Sequence, residues 1–378
     1  MEVGHDKSNR LGEPLHGDLK HRQEDGERIS YTGALPPAET HLDEWIAPQQ
    51  CDERGHLRAG QILEWMDVVG VVAASRHTRS PIVTASVDGV ELLEPILVGE
   101  RVTMTAQVAY TSERSVGVSV SMTHGAPGAP TRHMLNGWMT FVGVDDAGRP
   151  IMVPPVLANT PAQLARLREG QLRREFRRKL ASGTLTDIVP ESLPRGSDER
   201  RLFVTELLKL IPRMRVPWEG AVASRSRQHS YVHSIEPVRP DSLNFHGTLY
   251  GGIAMRWIES NAQLSARAYL RGAAVRCSGL HGLSFLKPAQ RDMFVHLRSM
   301  VVHATDAQLT VLVTMESEDP AVGQITETLR AFLTYAPVER TQSVPKVECG
   351  SDEERALHAE VEHRLALQRS LAGDKRDA

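Results

Sequence analysis

Two acidic residues sit where acids are expensive. Between Ile62 and Ala74 the only charges are Glu64 and Asp67, and apolar residues occur on every side of the segment. A helix apolar all round is buried rather than laid on a surface. An ionised carboxylate inside it is costly unless it is paired, solvated in a cleft, or put to use. Asp67 is therefore either a structural acid or a group held for proton chemistry. The second acid, Glu259, lies in the matching place of a second segment, Gly251-Gly252-Ile253-Ala254-Met255-Arg256-Trp257-Ile258-Glu259.

The elements that must position these acids occur twice. Gly55 and Gly247 are 247 − 55 = 192 residues apart, and the same offset relates Trp65 to Trp257 and Asp67 to Glu259. Both copies read as a glycine-containing loop, a helix start, and a mostly apolar helix with an acid two residues after a Trp. A repeat of this length fixes the architecture before any local detail does. Downstream of the first helix, Val102, Met104, Ala106 and Val108 alternate with polar residues. So do Val116, Val118, Val120 and Met122. Period two over this length is the signature of half-buried strands. Short strands are expected at Trp45–Ala47, Ile82–Ala85, Val90–Leu93 and Gly137–Val144. The second copy repeats the alternation at Leu309, Val311, Val313 and Met315.

The chain then divides as follows. Residues 1–38 are polar and aperiodic, and read as a flexible arm. Residues 39–156 form the first loop–helix–sheet unit and 227–347 the second. Residues 157–226 form a helical linker, opened by Thr160-Pro161 and crowded with Arg166, Arg168, Arg173, Arg174, Arg177, Arg178 and Lys179. Glu169 and Glu175 interleave that run, which favours a solvated connector over an anion-binding patch. Residues 348–378 form a helical tail. In it Ser351-Asp352-Glu353-Glu354 fits a capping box, and Leu357, Val361 and Leu365 give an apolar stripe at helical spacing.

Composition excludes several function classes. The 378-residue chain is 40% hydrophobic and 24% charged, with net charge −3. That balance offers nothing to nucleic acid or a charged membrane surface. No run approaches a membrane span. Cys51, Cys277 and Cys349 are few, odd in number and far apart, which suits a reducing compartment rather than a disulfide framework. The expected localisation is cytoplasmic.

The repeated unit resembles the hotdog fold, and the pair a double hotdog, an α+β architecture with an antiparallel sheet wrapped around each long helix. More narrowly, the residues resemble the acyl-CoA thioesterases of the cytosolic and brown-fat-inducible type. The resemblance rests on Arg54-Gly55, the run Gly60–Asp67, Ser75-Arg76-His77, Val83–Asp88 and Pro95–Gly99. It continues through Asn244-Phe245-His246-Gly247, Gly251-Gly252 and Trp257-Ile258-Glu259. It covers about residues 39–347. With about thirty residues after the second unit, the C-terminal lipid-binding domain of animal members is expected to be absent.

The resemblance implies hydrolysis of acyl-CoA to a free acid and CoA at a site shared by the two units. Asp67 would activate water, Asn244 would position the water or the thioester, and the Gly252 amide would polarise the thioester carbonyl. Gly251, His246, Arg76, Arg79, Arg114 and Ser115 would contact the substrate. The mirror-image site would use Glu259, Asp52 and Gly60. There Asp52 stands where Asn244 would require an amide, and two nearby acids would raise one another's pKa. This second site is therefore expected to be weak. The resemblance implies no metal and no cofactor beyond the CoA of the substrate, and a homo-oligomer, a trimer of double hotdogs. Two rival readings stay open. A hydratase or dehydratase of enoyl thioesters would need an acid–base His, for which His246 is available. A non-catalytic acyl-CoA-binding protein would bind without turnover.

Overall fold

The computed structural model describes residues 34–181, 227–339 and most of 341–365. The expected arm (apart from its last few residues), residues 182–226 of the linker and the capping box at 351–354 lie outside the described residues.

The first unit comprises β1 (Glu39–Trp45), helix α1 (Ala59–Thr78), β2 (Ile82–Asp88), β3 (Val90–Glu91), β4 (Arg101–Thr111), β5 (Ser115–Gly125) and β6 (Arg132–Gly143). The second comprises β7 (Val232–Pro237), α3 (Gly251–Tyr269), β8 (Val275–Phe285), β9 (Phe294–Ala304), β10 (Leu309–Asp319) and β11 (Gln324–Pro337). Between them lies α2 (Pro161–Ala181). This is a tandem hotdog, each copy a long helix held by an antiparallel sheet.

The strands run β1-β4-β5-β6-β2-β8-β11-β10-β9-β7 through one sheet. The second half of that order is the first half reversed, copy for copy. At the centre β2 pairs with β8, Ser86 opposite Ser284 and Val87 opposite Leu283, and Val90 of β3 pairs with Leu280. Joining there leaves neither unit an open edge at the middle, where unpaired N–H and C=O groups would template aggregation.

α1 and α3 pack against one another on the inner side of the sheet. Ile62, Leu63, Met66, Val69 and Ala73 of α1, and Met255, Ile258, Ala262 and Ala266 of α3, are buried in one core shared by both units. Trp65 joins that core and Trp257 packs at its margin. The two helices meet about a pseudo-twofold axis, on which a residue contacts its own counterpart. Glu64 and Arg256 are such counterparts (256 − 64 = 192), and they form an ion pair at 3.2 Å. No helix among the described residues is long and apolar enough to cross a membrane. Cys51 and Cys277 are buried free thiols.

The structure departs from the sequence reading at three places. The first strand lies at Glu39–Trp45, and the expected strand at Trp45–Ala47 is cut off by the 3-10 turn at Pro48–Gln50. Among the described residues β1 is an edge strand that pairs with β4 alone, and its polar composition hides its period. The strand expected at Val90–Leu93 is reduced to Val90–Glu91. α2 is not merely solvated: Arg173 lies 5.3 Å from the Trp138 ring centre, pairs with Glu169 at 3.0 Å and donates to the Asp88 carbonyl. Gly170 lets the helix approach Tyr110, where any side chain would clash. A cation over an aromatic face, with its stem against apolar surface, is a stable way to bury an arginine.

Residues 357–362 are helical and cover the outer face of the second sheet. There Leu357 and Val361 bury against Met300, Val302, Leu312 and Phe332, with Leu365 at the margin.

Candidate active site

Each helix starts against the acid of the other. The loop before α1 turns through Gly55 (φ 77°) and the loop before α3 through Gly247 (φ 75°), a backbone region that glycine enters without steric cost. Asp52 and Asn244 organise these loops in the same way. The Asp52 carboxylate accepts the Arg54 and His56 amides, both at 2.9 Å. The Asn244 side-chain oxygen accepts the His246 amide at 2.9 Å and the Thr248 amide at 3.2 Å, while its Nδ2 donates to the Thr248 hydroxyl at 2.9 Å. Such side-chain-to-backbone turns are what Asx residues do best.

Helix α3 begins at Gly251 after the extended residue Tyr250. Its first residues abut Asp67. A Cβ on Gly251 would lie 3.0 Å from Asp67 Oδ2, and one on Gly252 would lie 3.3 Å from the Glu64 Cα. A side chain at either position would crowd this approach. Asp67 is completely buried. The Thr84 hydroxyl, from β2, donates to its Oδ1 at 2.8 Å. Burial pushes the Asp67 carboxyl up to about 6. The Thr84 hydroxyl, the Gly252 amide and the Tyr250 hydroxyl pull it back, and the Glu64 charge adds to the rise. Among the described residues its Oδ2 has no hydrogen-bond partner. Burial, then the neighbouring Asp67, raise the Tyr250 phenol, which stays protonated as a donor.

The mirror arrangement holds at Glu259. Helix α1 begins after Arg58, and a Cβ on Gly60 would lie 3.2 Å from Glu259 Oε2. Burial pushes the Glu259 carboxyl up to about 7, against the pull of the Tyr335 hydroxyl, the Gly60 amide and the Arg58 charge. The Tyr335 hydroxyl lies 3.3 Å from Glu259 Oε1 and 3.1 Å from its main-chain oxygen. Burial also pushes the nearby Cys277 thiol up, which disfavours its thiolate. A cleft of about 50 Å³ opens beside Glu259, lined among others by Asp52, His56, Arg58, Gln263 and Arg276.

The like-charge repulsion expected from Asp52 is not what raises the Glu259 carboxyl. Asp52 lines the same cleft, but its carboxylate is occupied by loop amides, and burial rather than like-charge repulsion leads the rise.

The remaining sequence candidates are spread out. Gly251 and Gly252 meet Asp67, and the Asn244–Thr248 loop leads into that junction. His246 packs its ring on Phe245. Arg76 ties the end of α1 to β1 through the Glu39 carbonyl and the Thr40 hydroxyl, both at 3.2 Å. Arg79 is the left-handed cap of α1. The Arg114 carbonyl accepts the Gly143 amide, and Ser115 shares a 2.5 Å hydrogen bond with Ser112. At 1.5 Å per residue, Arg79 lies about 18 Å along the helix from Asp67. Thr84, Tyr250 and Tyr335 were missed as site residues. Tyr250 and Arg58 occupy equal positions in the repeat (250 − 192 = 58), and that offset was the available signal.

Residues 54–130 match the Thioesterase superfamily. The chain is similar to the acetyl-coenzyme A thioesterase of Rattus norvegicus, 28% identical over 266 residues, which cover 69% of this chain and 41% of that protein. It is 25% identical over 349 residues to acyl-coenzyme A thioesterase 11 of Mus musculus, covering 89% of this chain and 54% of that one. It is 28% identical over 151 residues to the uncharacterized acyl-CoA thioester hydrolase YkhA of Bacillus subtilis, covering 38% and 87%. The chain thus spans about half, or less, of the length of the first two. Across both hotdog units, this chain is similar to acyl-CoA thioesterases.

Proposed function

We propose that the protein hydrolyses acyl-CoA to a carboxylic acid and CoA, with Asp67 as general base. The observation that carries this reading is the Asp67 carboxylate of one unit, buried against the helix start of the other. A thioester already has a good leaving group, so a held water and a base suffice. Asp67 takes a proton from water as the oxygen attacks the thioester carbon. The C–S bond breaks, the CoA thiolate takes that proton back from Asp67, and CoA leaves as the thiol. With its carboxyl at about 6, Asp67 is mostly ionised at neutral pH and still basic enough to accept a proton. Thr84 holds the carboxylate by donating to Oδ1, and the nearby Tyr250 hydroxyl favours its charged form. Asn244 shapes the loop that delivers the α3 start to Asp67, and its contact with water or thioester rests on the resemblance. The trimeric assembly and the reducing, cytosolic compartment belong to the same reading.

The test is a panel of acyl-CoAs of increasing chain length with thiol detection. Release of CoA at a rate that depends on chain length supports the proposal. Loss of enoyl absorbance without thiol release would replace it with the hydratase reading. Saturable acyl-CoA binding without turnover would replace it with a binding protein.

A further inference from the structure

Far from both acids, on the outer face of the second sheet, two histidines and a glutamate converge. His303 comes from the end of β9, and His358 and Glu362 from the C-terminal helix. One ligand atom from each lies within 4.8 Å of the others. The Glu362 carboxylate oxygen is 3.7 Å from His303 Nε2 and 3.9 Å from His358 Nδ1. The two imidazole rings lie 4.6 Å apart, tilted by 44°. We propose that His303, His358 and Glu362 form a structural site for a divalent transition metal, zinc foremost, that clips the C-terminal helix to the sheet.

Three observations carry this. The first is ligand type. Two neutral imidazole nitrogens and one carboxylate suit zinc, with water in the remaining position. The second is spacing. Bonds of 2.0–2.1 Å in a tetrahedron place ligand atoms about 3.3–3.4 Å apart. The 3.7 and 3.9 Å separations, and a His303–His358 ligand-atom separation of no more than 4.8 Å, close to that value by side-chain rotation. The third is how the fold delivers the ligands. His358 and Glu362 are four residues apart, so they share one helix face. The neighbouring Leu357 and Val361 dock that helix on Met300 and Val302. The register of β9 against β10 slips between Thr310 and Val311, so that Val302 is extra in the ladder. Without the slip, His303 would follow Val301 inward. With it, Ala304 packs on the inner core while Val302 and His303 lie on the outer side. Re-aiming a side chain is a recurrent use of a bulge. An ion pair alone would need only one histidine. The site lies on the face opposite α3, so it belongs to tail docking and not to the thioester chemistry.

The experiment uses the full chain, stripped with a chelator and titrated with Zn2+ by calorimetry. Co2+ serves as a spectroscopic probe and Mg2+ as a hard-cation control. Glu362→Gln and His358→Ala are the test variants, because both side chains are at least partly exposed and neither change opens the core. The expected result is one tight Zn2+ site per chain, weakened at least tenfold in each variant, a margin that even an outer partner of a ligand typically commands. Co2+ should give the intense visible bands of a tetrahedral centre, lost in both variants. Zn2+ should also slow proteolytic removal of the C-terminal helix in the parent chain only. Equal Zn2+ affinity in the parent and both variants would overturn the proposal. So would Co2+ bands that survive both changes, or a helix cleaved at the same rate with and without Zn2+.

Discussion

The two ends of the α1–α3 pair use one scaffold to set two different acids. At one end Asp67 meets the start of α3, and at the other Glu259 meets the start of α1. Glycines at matching positions, Gly252 and Gly60, bring each helix start against the other helix. The residue before each helix differs. Tyr250 gives Asp67 a hydroxyl, whereas Arg58 gives Glu259 a charge. Asp67 also has the Thr84 hydroxyl on its carboxylate, while Glu259 has the Tyr335 hydroxyl. The donors leave Asp67 at about 6 and Glu259 at about 7. The comparison teaches that duplication preserves the geometry of a buried carboxylate more readily than its chemistry. A few neighbours decide how much of the acid is ionised at neutral pH.

The largest expected effect would break the comparison outright. Asp67→Asn should lower kcat by about two to four powers of ten, the typical worth of a general base. Glu259→Gln should keep most of the activity. The acid limb of the wild-type pH–rate profile should fall near 6, where Asp67 loses its charge, and Glu259→Gln should leave it there. A limb near 7 that Glu259→Gln abolishes would assign the working site to the other end.

Next in size is a stability effect of the same residue. The Asp67 carboxyl is raised from 3.8 to about 6 on folding, so the native state holds the proton more tightly than the unfolded chain. Its contribution to stability is fully present below 3.8 and is lost as pH rises through about 6. By pH 8 the deprotonated group costs about 3 kcal/mol. Asp67→Asn should therefore raise Tm most at pH 8 and least near pH 4. A Tm gain independent of pH would show that Asp67 is not buried as a strained carboxylate.

Tyr250→Phe sharpens the contrast between the two N-terminal neighbours. It removes the nearby hydroxyl that favours the charged Asp67 carboxylate, so the acid limb should move up in pH. At pH 8.5, well above the limb, kcat should change little. A fall in kcat at all pH values with the limb unmoved would make Tyr250 a direct participant rather than a positioning residue.

The smallest effect concerns Arg256 and Glu64, which pair across the axis. The pair is partly exposed, so Arg256→Met should cost no more than about 1 kcal/mol. A loss of activity at constant stability would mean that the pair also tunes Asp67 through the Glu64 charge.

Much of this was legible in the residues themselves. The 192-residue offset required two copies of one unit, and period-two runs such as Val102–Val108 marked their strands, because the alternation of a half-buried sheet is written locally. Asp67 stood out for the same reason: an acid in an all-apolar helix is a local anomaly. What required the folded chain was every contact between groups far apart in sequence, whether within one copy or across the two. Thr84 donates to Asp67 from 17 residues away, Tyr250 approaches it from the second unit, and Tyr335 reaches Glu259 from 76 residues beyond. The repulsion expected between Asp52 and Glu259 is not what raises Glu259, and backbone amides, invisible in a string of side chains, tie the Asp52 carboxylate into its own loop. The meeting of His303 with His358 and Glu362 was likewise hidden, since a one-residue slip in strand register decides which face His303 takes. The sequence determined which elements form, through periodicity and burial. Tertiary structure decided which groups surround each acid and how far its charge is suppressed. Desolvation and hydrogen bonding depend on distances between residues that the chain order keeps far apart.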